Sequence, residues 1–157
     1  MKACFPDVLF QSPERESPKW TEVDGFTVKR RSTRKECTVE TAGILEGMPI
    51  GSHYEEIDVD DLEDAETVDD PEQTRKVNRR FDLLYGLLTE GGKLTVWGTP
   101  YSHMGTYTPY LVSKTWPDGR PVFLVRKYAA TEDGTRTGKL RLFSPDEWDK
   151  ICATVNE

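Results

Sequence analysis

The sequence predicts an α/β fold with a mainly parallel sheet flanked by helices. Three observations predict it. Short strand-like runs alternate with one long amphipathic helix pattern, which favours α/β over all-β. One run, Ile57-Asp58-Val59-Asp60-Asp61, ends in adjacent carboxylates, placed where a parallel strand opens onto a ligand crevice. A second run, Leu94-Thr95-Val96-Trp97, follows one helix later and ends in Gly98-Thr99. The length of 157 residues suits one domain of ordinary size.

Residues 1–25 carry Pro6, Pro13 and Pro18 among Ser, Glu and Asp, and read as an irregular N-terminal arm. Phe5, Val8, Leu9, Phe10 and Trp20 are available to anchor it. Residues 26–157 form the body of the fold. Strands are expected over 26–29 and 36–42, where Cys37, Val39 and Thr41 alternate with polar neighbours. The basic cluster between them, Lys29, Arg30, Arg31, Arg34 and Lys35, reads first as a solvated turn and second as a phosphate contact. Residues 43–51, with three glycines and Pro49, form a loop.

Residues 53–61 read as a strand ending in acids, and 71–90 as the clearest helix. Asp70 suits the N-cap, Pro71 the first helical position, and Gln73 a capping box. Val77, Phe81, Leu84 and Leu88 share one apolar face, and Arg75, Lys76, Arg79 and Arg80 supply a polar one that reads as solvated rather than DNA-bound. Gly91-Gly92 ends the helix, and 93–97 is a short buried strand. A weaker helix covers 106–115, limited by Pro109. Strands are expected over 121–129 and 139–143, joined by a turn at Asp133-Gly134. Ser144 and Glu147 form the capping box of a last helix. Trp97 and Trp116 are expected in the core.

Charge is unevenly distributed. The net charge of −7 excludes a strongly basic nucleic-acid wrapper. Eleven carboxylates and no Lys or Arg lie between Tyr54 and Glu72, leaving seventeen acids against twenty-one bases elsewhere. Three widely spaced cysteines, Cys4, Cys37 and Cys152, with only two histidines, indicate neither a disulfide framework nor a zinc site. The N-terminus has no signal-peptide apolar region, and runs such as Val122-Phe123-Leu124-Val125 are too short to span a bilayer, so a soluble intracellular protein is expected.

The acidic strand end admits three chemistries beside a plain acidic loop. As a Walker B element, the first acid of the terminal pair holds Mg²⁺ and the second orients the attacking water. As an Asp-x-Asp element, Asp58 and Asp60 hold a divalent metal on a nucleotide-sugar, the arrangement of a metal-dependent transferase. The third is a carboxylate nuclease centre. The order strand, Asp-Asp, helix, strand, Gly-Thr favours the first, because a polar residue at the neighbouring strand tip suits a γ-phosphate sensor.

Further pieces extend this order: Phe5-Pro6-Asp7-Val8-Leu9, Glu16-Ser17-Pro18-Lys19-Trp20, Thr27-Val28-Lys29-Arg30, Arg34-Lys35-Glu36-Cys37-Thr38-Val39-Glu40 and Gly51-Ser52-His53-Tyr54. On these residues, with Asp60-Asp61-Leu62 and Gly98-Thr99, the chain resembles the ATPase domain of phage terminase large subunits, the motors that package viral DNA. The resemblance spans most of the chain. It implies a partial P-loop NTPase fold of the ASCE type, with residues 26–157 as a partial terminase ATPase domain. It implies that Asp60 binds Mg²⁺ and, with Gly98, the nucleotide, that Asp61 is the catalytic acid, and that Thr99, also catalytic, matches the motif coupling hydrolysis to DNA movement. Mg²⁺ and ATP are then the cofactors. The partners are double-stranded DNA and other terminase chains: a Walker A-bearing segment, the small subunit and the portal. No membrane is involved, and the site of action is the host cytoplasm. His53, His103 and Arg30 stand at positions suited to DNA or nucleotide contact, beside the plainer reading of the histidines as hydrogen-bonding structural residues.

Two departures from the family qualify this expectation. No Gly-x-x-x-x-Gly-Lys-Ser/Thr occurs in the chain; Gly92-Lys93 and Gly138-Lys139 lack the earlier Gly and the following hydroxyl. Backbone N–H groups and the Lys of that loop cradle the phosphates, so the chain alone is expected to bind nucleotide weakly, and the family's nuclease domain is also missing. Glu56 and Asp58 fall in a strand that is usually apolar in the family, because helices cover both faces of a parallel sheet. They imply either an edge strand or a site that has drifted. The expected function is an ATPase lobe inactive alone; the alternative is a non-catalytic terminase remnant or protein-interaction module.

Overall fold

Residues 5–21, 23–49, 51–102 and 104–154 are described by the computed structural model, so His103 and Cys4 lie outside the described residues. The chain divides into two units, Met1–Lys114 and Thr115–Glu157.

The first unit begins with a single helical turn, α1 (Pro13–Glu16), opened by Pro13. Strands β1 (Trp20–Thr21), β2 (Gly25–Phe26) and β3 (Val39–Glu40) then form an antiparallel sheet in chain order. Gly25 has a φ of 129°, and a Cβ there would run into the backbone of Val39 and Glu40, so close strand approach requires glycine at this position. The Trp20 and Phe26 rings meet at 5.3 Å on paired residues. The segment expected as an irregular arm is thus tied in by its backbone. Lys29 N–H donates to the Val8 carbonyl at 2.9 Å, and Ser17 Oγ donates to the Thr27 carbonyl at 2.7 Å. Phe5 and Val8 themselves remain exposed.

The second sheet is a parallel pair, β4 (Tyr54–Asp60) and β5 (Leu88–Trp97), joined by α2 (Ala65–Val68), α3 (Pro71–Leu84) and a 3-10 turn over Tyr85–Leu87. The architecture is therefore mixed α/β with a small parallel sheet flanked by helices. Among the described residues parallel pairing is confined to these two strands, and the three-stranded sheet is antiparallel, against the expectation of a mainly parallel sheet. β4 is an edge strand, as Glu56 and Asp58 imply, and both lie exposed.

Helix α3 starts as its cap dictates. The Asp70 carboxylate accepts from the N–H groups of Glu72 at 2.7 Å and Gln73 at 3.3 Å, satisfying two donors that the helix itself leaves open. Val77, Phe81 and Leu84 are buried along one face. The helix stops before residue 90 because Gly86 weakens it and the chain leaves through the 3-10 turn. Leu88, expected on the helix face, instead pairs with Tyr54 at the start of β5. The register then shifts between Tyr54 and Glu56, and Gly91 absorbs it with a φ of 74°.

After β5 the chain makes a π-helical turn, Tyr107–Val112, in place of the expected helix. Pro109 has no N–H and its ring opposes an α-helical course, so Leu111 N–H reaches the Thr106 carbonyl, five residues back, at 3.0 Å. Among the described residues, the buried hydrophobic side chains besides Pro13 are Leu62, Val77, Phe81, Leu84 and Leu111, all in the first unit.

In the second unit the expected strands over 121–129 and 139–143 do not form. Single bridges join Thr115 to Pro121 and Thr131 to Leu140. A strand needs a partner along its length, and the apolar run at 121–129 finds none among the described residues beyond the single bridge at Pro121. The turn at Asp133-Gly134 is present, with Gly134 at a φ of 73°. Helix α4 (Pro145–Thr154) opens with the expected capping box: Glu147 accepts from Ser144 Oγ at 2.6 Å and from its N–H at 2.9 Å. Neither Trp97 nor Trp116 is core; they are 58% and 50% exposed. Trp97 points outward because strand alternation puts it on the solvent side with Lys93, and Trp116 sits in a turn closed by Arg120.

Among the described residues, no helix is long and apolar enough to cross a membrane.

Candidate functional site at the ends of the parallel strands

Parallel pairing brings the C-terminal ends of β4 and β5 together. Asp60 stands opposite Trp97, and the Asp61 N–H donates to the Trp97 carbonyl at 3.2 Å. Asp60-Asp61 and Gly98-Thr99, separated by 37 residues in sequence, are thereby neighbours at one end of the sheet. All four residues are exposed.

Five of the surrounding acids are engaged elsewhere. Glu55 pairs with Arg34 at 3.0 Å and Glu56 with Lys93 at 2.6 Å. Asp64 accepts from the Thr67 N–H at the start of α2, Asp70 caps α3, and Glu72 pairs with Lys76. The carboxylates of Asp60 and Asp61 have no hydrogen-bonded or ion-paired partner among the described residues. Asp61 has a φ of 45°, the one positive value at a described non-glycine residue. A side chain held in that region carries local backbone strain, tolerated best by Asp and Asn among residues with a Cβ.

Two residues that the sequence did not single out organise this corner. The Tyr107 phenol accepts from the Leu62 N–H at 2.8 Å and donates to the Trp97 carbonyl at 3.1 Å, so one hydroxyl bridges the ends of both strands. Burial raises its pKa, the Leu62 N–H opposes that, and the nearby charges of Asp61, Glu63 and Asp60 add to the rise. The second residue is Glu63, only 4% exposed. Its carboxylate accepts from the Tyr107 N–H at 2.7 Å and the Tyr101 N–H at 3.2 Å. The sequence signal for Glu63 was hidden inside an acidic run, where the nine other described carboxylates are exposed.

Gly98 has a steric role. Its φ is 155°, and a Cβ there would collide with the Tyr107 phenol. The space beside Gly98 is thus filled by this chain's own ring.

His53 is exposed in the loop before β4, and its backbone N–H lies close enough to the Glu36 carboxylate to help lower that group's pKa. The Arg30 guanidinium donates to the Arg34 carbonyl at 2.7 Å, in an exposed basic turn. The structure places neither beside the Asp60–Asp61 corner through any hydrogen bond or ion pair. Asp58 shares the exposed face of β4 with Asp60, near the Lys93–Glu56 ion pair. A cavity of about 250 Å³ within the second unit, lined by Thr131, Arg136, Trp148 and Cys152 among others, contains none of the expected site residues.

No three His, Cys, Asp or Glu side chains converge on a metal position among the described residues. Mg²⁺ keeps waters and takes one or two carboxylates together with phosphate oxygens. Two exposed and unpartnered carboxylates fit that donor set, with Asp60 the group that would hold the ion. No family model, curated protein or solved structure matches this chain.

Proposed function

We propose that the chain is a lobe of a phage terminase motor ATPase, of P-loop NTPase type, whose phosphate-cradling loop comes from another chain or segment. The observation that carries this reading is the meeting of the Asp60–Asp61 pair with Gly98-Thr99 at the C-terminal ends of adjacent parallel strands, where α/β proteins hold their ligands. In this reading Asp60 holds the Mg²⁺ of Mg-ATP. The ion would supply charge neutralisation on the phosphate oxygens when bound. Asp61 accepts a hydrogen bond from the attacking water and orients it. Thr99, on the turn that follows the neighbouring strand, couples that corner to movement of double-stranded DNA. The small subunit and portal would be the further partners.

The test is reconstitution. The purified chain alone is expected to hydrolyse ATP negligibly, because no loop in it cradles the phosphates. Mixed with a Walker A-bearing terminase segment, it should show Mg²⁺-dependent turnover that Asp60→Ala abolishes. Turnover by the isolated chain, lost in Asp60→Ala, would show that it is complete by itself.

One observation favours a second reading, a non-catalytic remnant or interaction module. Tyr107 fills the space beside Gly98, which narrows the room for a nucleotide at the strand tips. Under that reading the Walker A-bearing segment binds the chain without any stimulation of hydrolysis.

A further inference from the structure

We infer that Glu63 is a positioning residue that holds the turn carrying Gly98 and Thr99 against the Asp60–Asp61 corner. The inference deepens the proposed function and rests on that reading for its catalytic meaning, while the positioning itself stands on this chain's own geometry.

A buried carboxylate is costly unless its oxygens are satisfied. Glu63 meets that cost with two backbone N–H groups, Tyr101 on one oxygen and Tyr107 on the other. Both donors belong to the segment that follows β5, whereas Glu63 lies two residues after Asp61. The carboxylate therefore links the two chain segments leaving the sheet, and each bond is charge-assisted. The Tyr107 hydroxyl makes a second link, from the Leu62 N–H to the Trp97 carbonyl. Together they close a ring: Asp61, Leu62 and Glu63 on one side, Trp97, Tyr101 and Tyr107 on the other. Thr99 sits inside the span between Trp97 and Tyr101, so its backbone is pinned at both ends.

The same geometry explains Gly105. It is buried, and a Cβ there would press on the Glu63 carboxylate. Its neighbour Thr106 is also buried, at 1% exposure. Solvent is thus kept from the carboxylate, which keeps its hydrogen bonds to the two amides strong.

Backbone amide hydrogen exchange of the full chain, resolved by NMR, tests the inference without nucleotide. In the native chain the Tyr107 amide proton should resonate downfield, as expected for a donor to a carboxylate. Glu63→Gln removes the charge and one acceptor, and should move that signal upfield. It should also speed exchange at Tyr101 and Tyr107 by about tenfold or more, the effect of losing a hydrogen bond to a charged group, and at Asp61 and Leu62, whose N–H groups bond to Trp97 and Tyr107 across the same ring. Exchange at Val77 and Phe81 in α3 should stay unchanged. Gly105→Ala should reproduce the pattern by displacing the carboxylate while leaving its charge in place. It also provides the test if Glu63→Gln fails to fold. Acceleration spread equally over α3 would mean that Glu63 only contributes to overall stability, and unchanged exchange at Asp61 and Leu62, across the ring, would mean that it holds nothing in place; either result overturns the inference. Failure of the ATPase reconstitution would instead overturn the proposed function and leave these exchange results standing.

Discussion

At the scale of single residues, the strand-end corner is built by three unusual positions: Asp61 with its positive φ, Gly98 beneath a phenol, and Glu63 in the interior. Each carries a measurable consequence. Gly98→Ala should destabilise the chain by about 1–3 kcal/mol in urea unfolding, because the added methyl must displace Tyr107 from its bridge. Tyr107→Phe keeps the ring but loses the bridge, and does not rescue Gly98→Ala, because the added methyl would still meet the ring carbon Cζ at 2.5 Å. At Asp61, a β-branched residue at a φ of 45° is strained, so Asp61→Val should cost about 1–2 kcal/mol. Asp61→Gly should be better tolerated than Asp61→Val, since glycine occupies that region without a Cβ penalty. Comparing the two by the same urea unfolding separates backbone strain from loss of the carboxylate, which both share.

At the scale of elements, α3 is held from its start by Asp70 and along its length by Val77, Phe81 and Leu84, while its exposed side carries a second cluster. Asp82 pairs with Lys114, which lies between the Tyr85 and Tyr110 rings at 5.5 and 4.7 Å from their centroids. Partial burial pushes the Asp82 carboxyl up, but hydrogen bonds from Lys114 and Tyr110 and the Lys114 charge outweigh it and hold the pKa below its ordinary 3.8. A depressed folded pKa stabilises the fold above the unfolded value and loses that contribution as pH falls through the folded one. The stability difference between the native chain and Asp82→Asn should therefore be present at neutral pH and shrink below pH 3.8. Urea unfolding of both chains across that range measures it. A difference that persists unchanged however far the pH falls below 3.8 would exclude this ion pair as its source. Both partners are partly exposed, so the effect is modest and falls with added salt.

At the scale of the molecule, burial is unequal between the two units. Every described buried apolar residue belongs to Met1–Lys114, and in Thr115–Glu157 the buried residue is Thr131. Large apolar side chains such as Leu124, Tyr128 and Leu142 are exposed in the second unit. Local opening is easiest where few apolar groups are buried. Amides of residues 115–154 should accordingly exchange much faster than those of α3, and a protease should cut this segment first. Comparable protection in both units would contradict the burial pattern.

What the sequence determined by itself was local. The Asp70 cap, the apolar face of α3, the Ser144–Glu147 box and the acidic strand over residues 53–61 all depend on residues within a few positions of one another, and caps and periodicity report such spacing directly. The order of acidic strand, helix and Gly-Thr strand was also legible, because a parallel pair needs a crossover between its strands. What tertiary structure alone decided was long-range. Whether residues 121–129 found a strand partner, where α3 gave way to β5, and that Trp97 faced outward all depended on which distant segments came together. The same holds for the site. Asp60, Asp61, Gly98 and Thr99 could be read as motif residues, but Glu63 and Tyr107 looked like any other acid and tyrosine. Their roles arise from backbone groups some 40 residues away in sequence, and hydrogen bonds of that span leave no spacing rule in the chain.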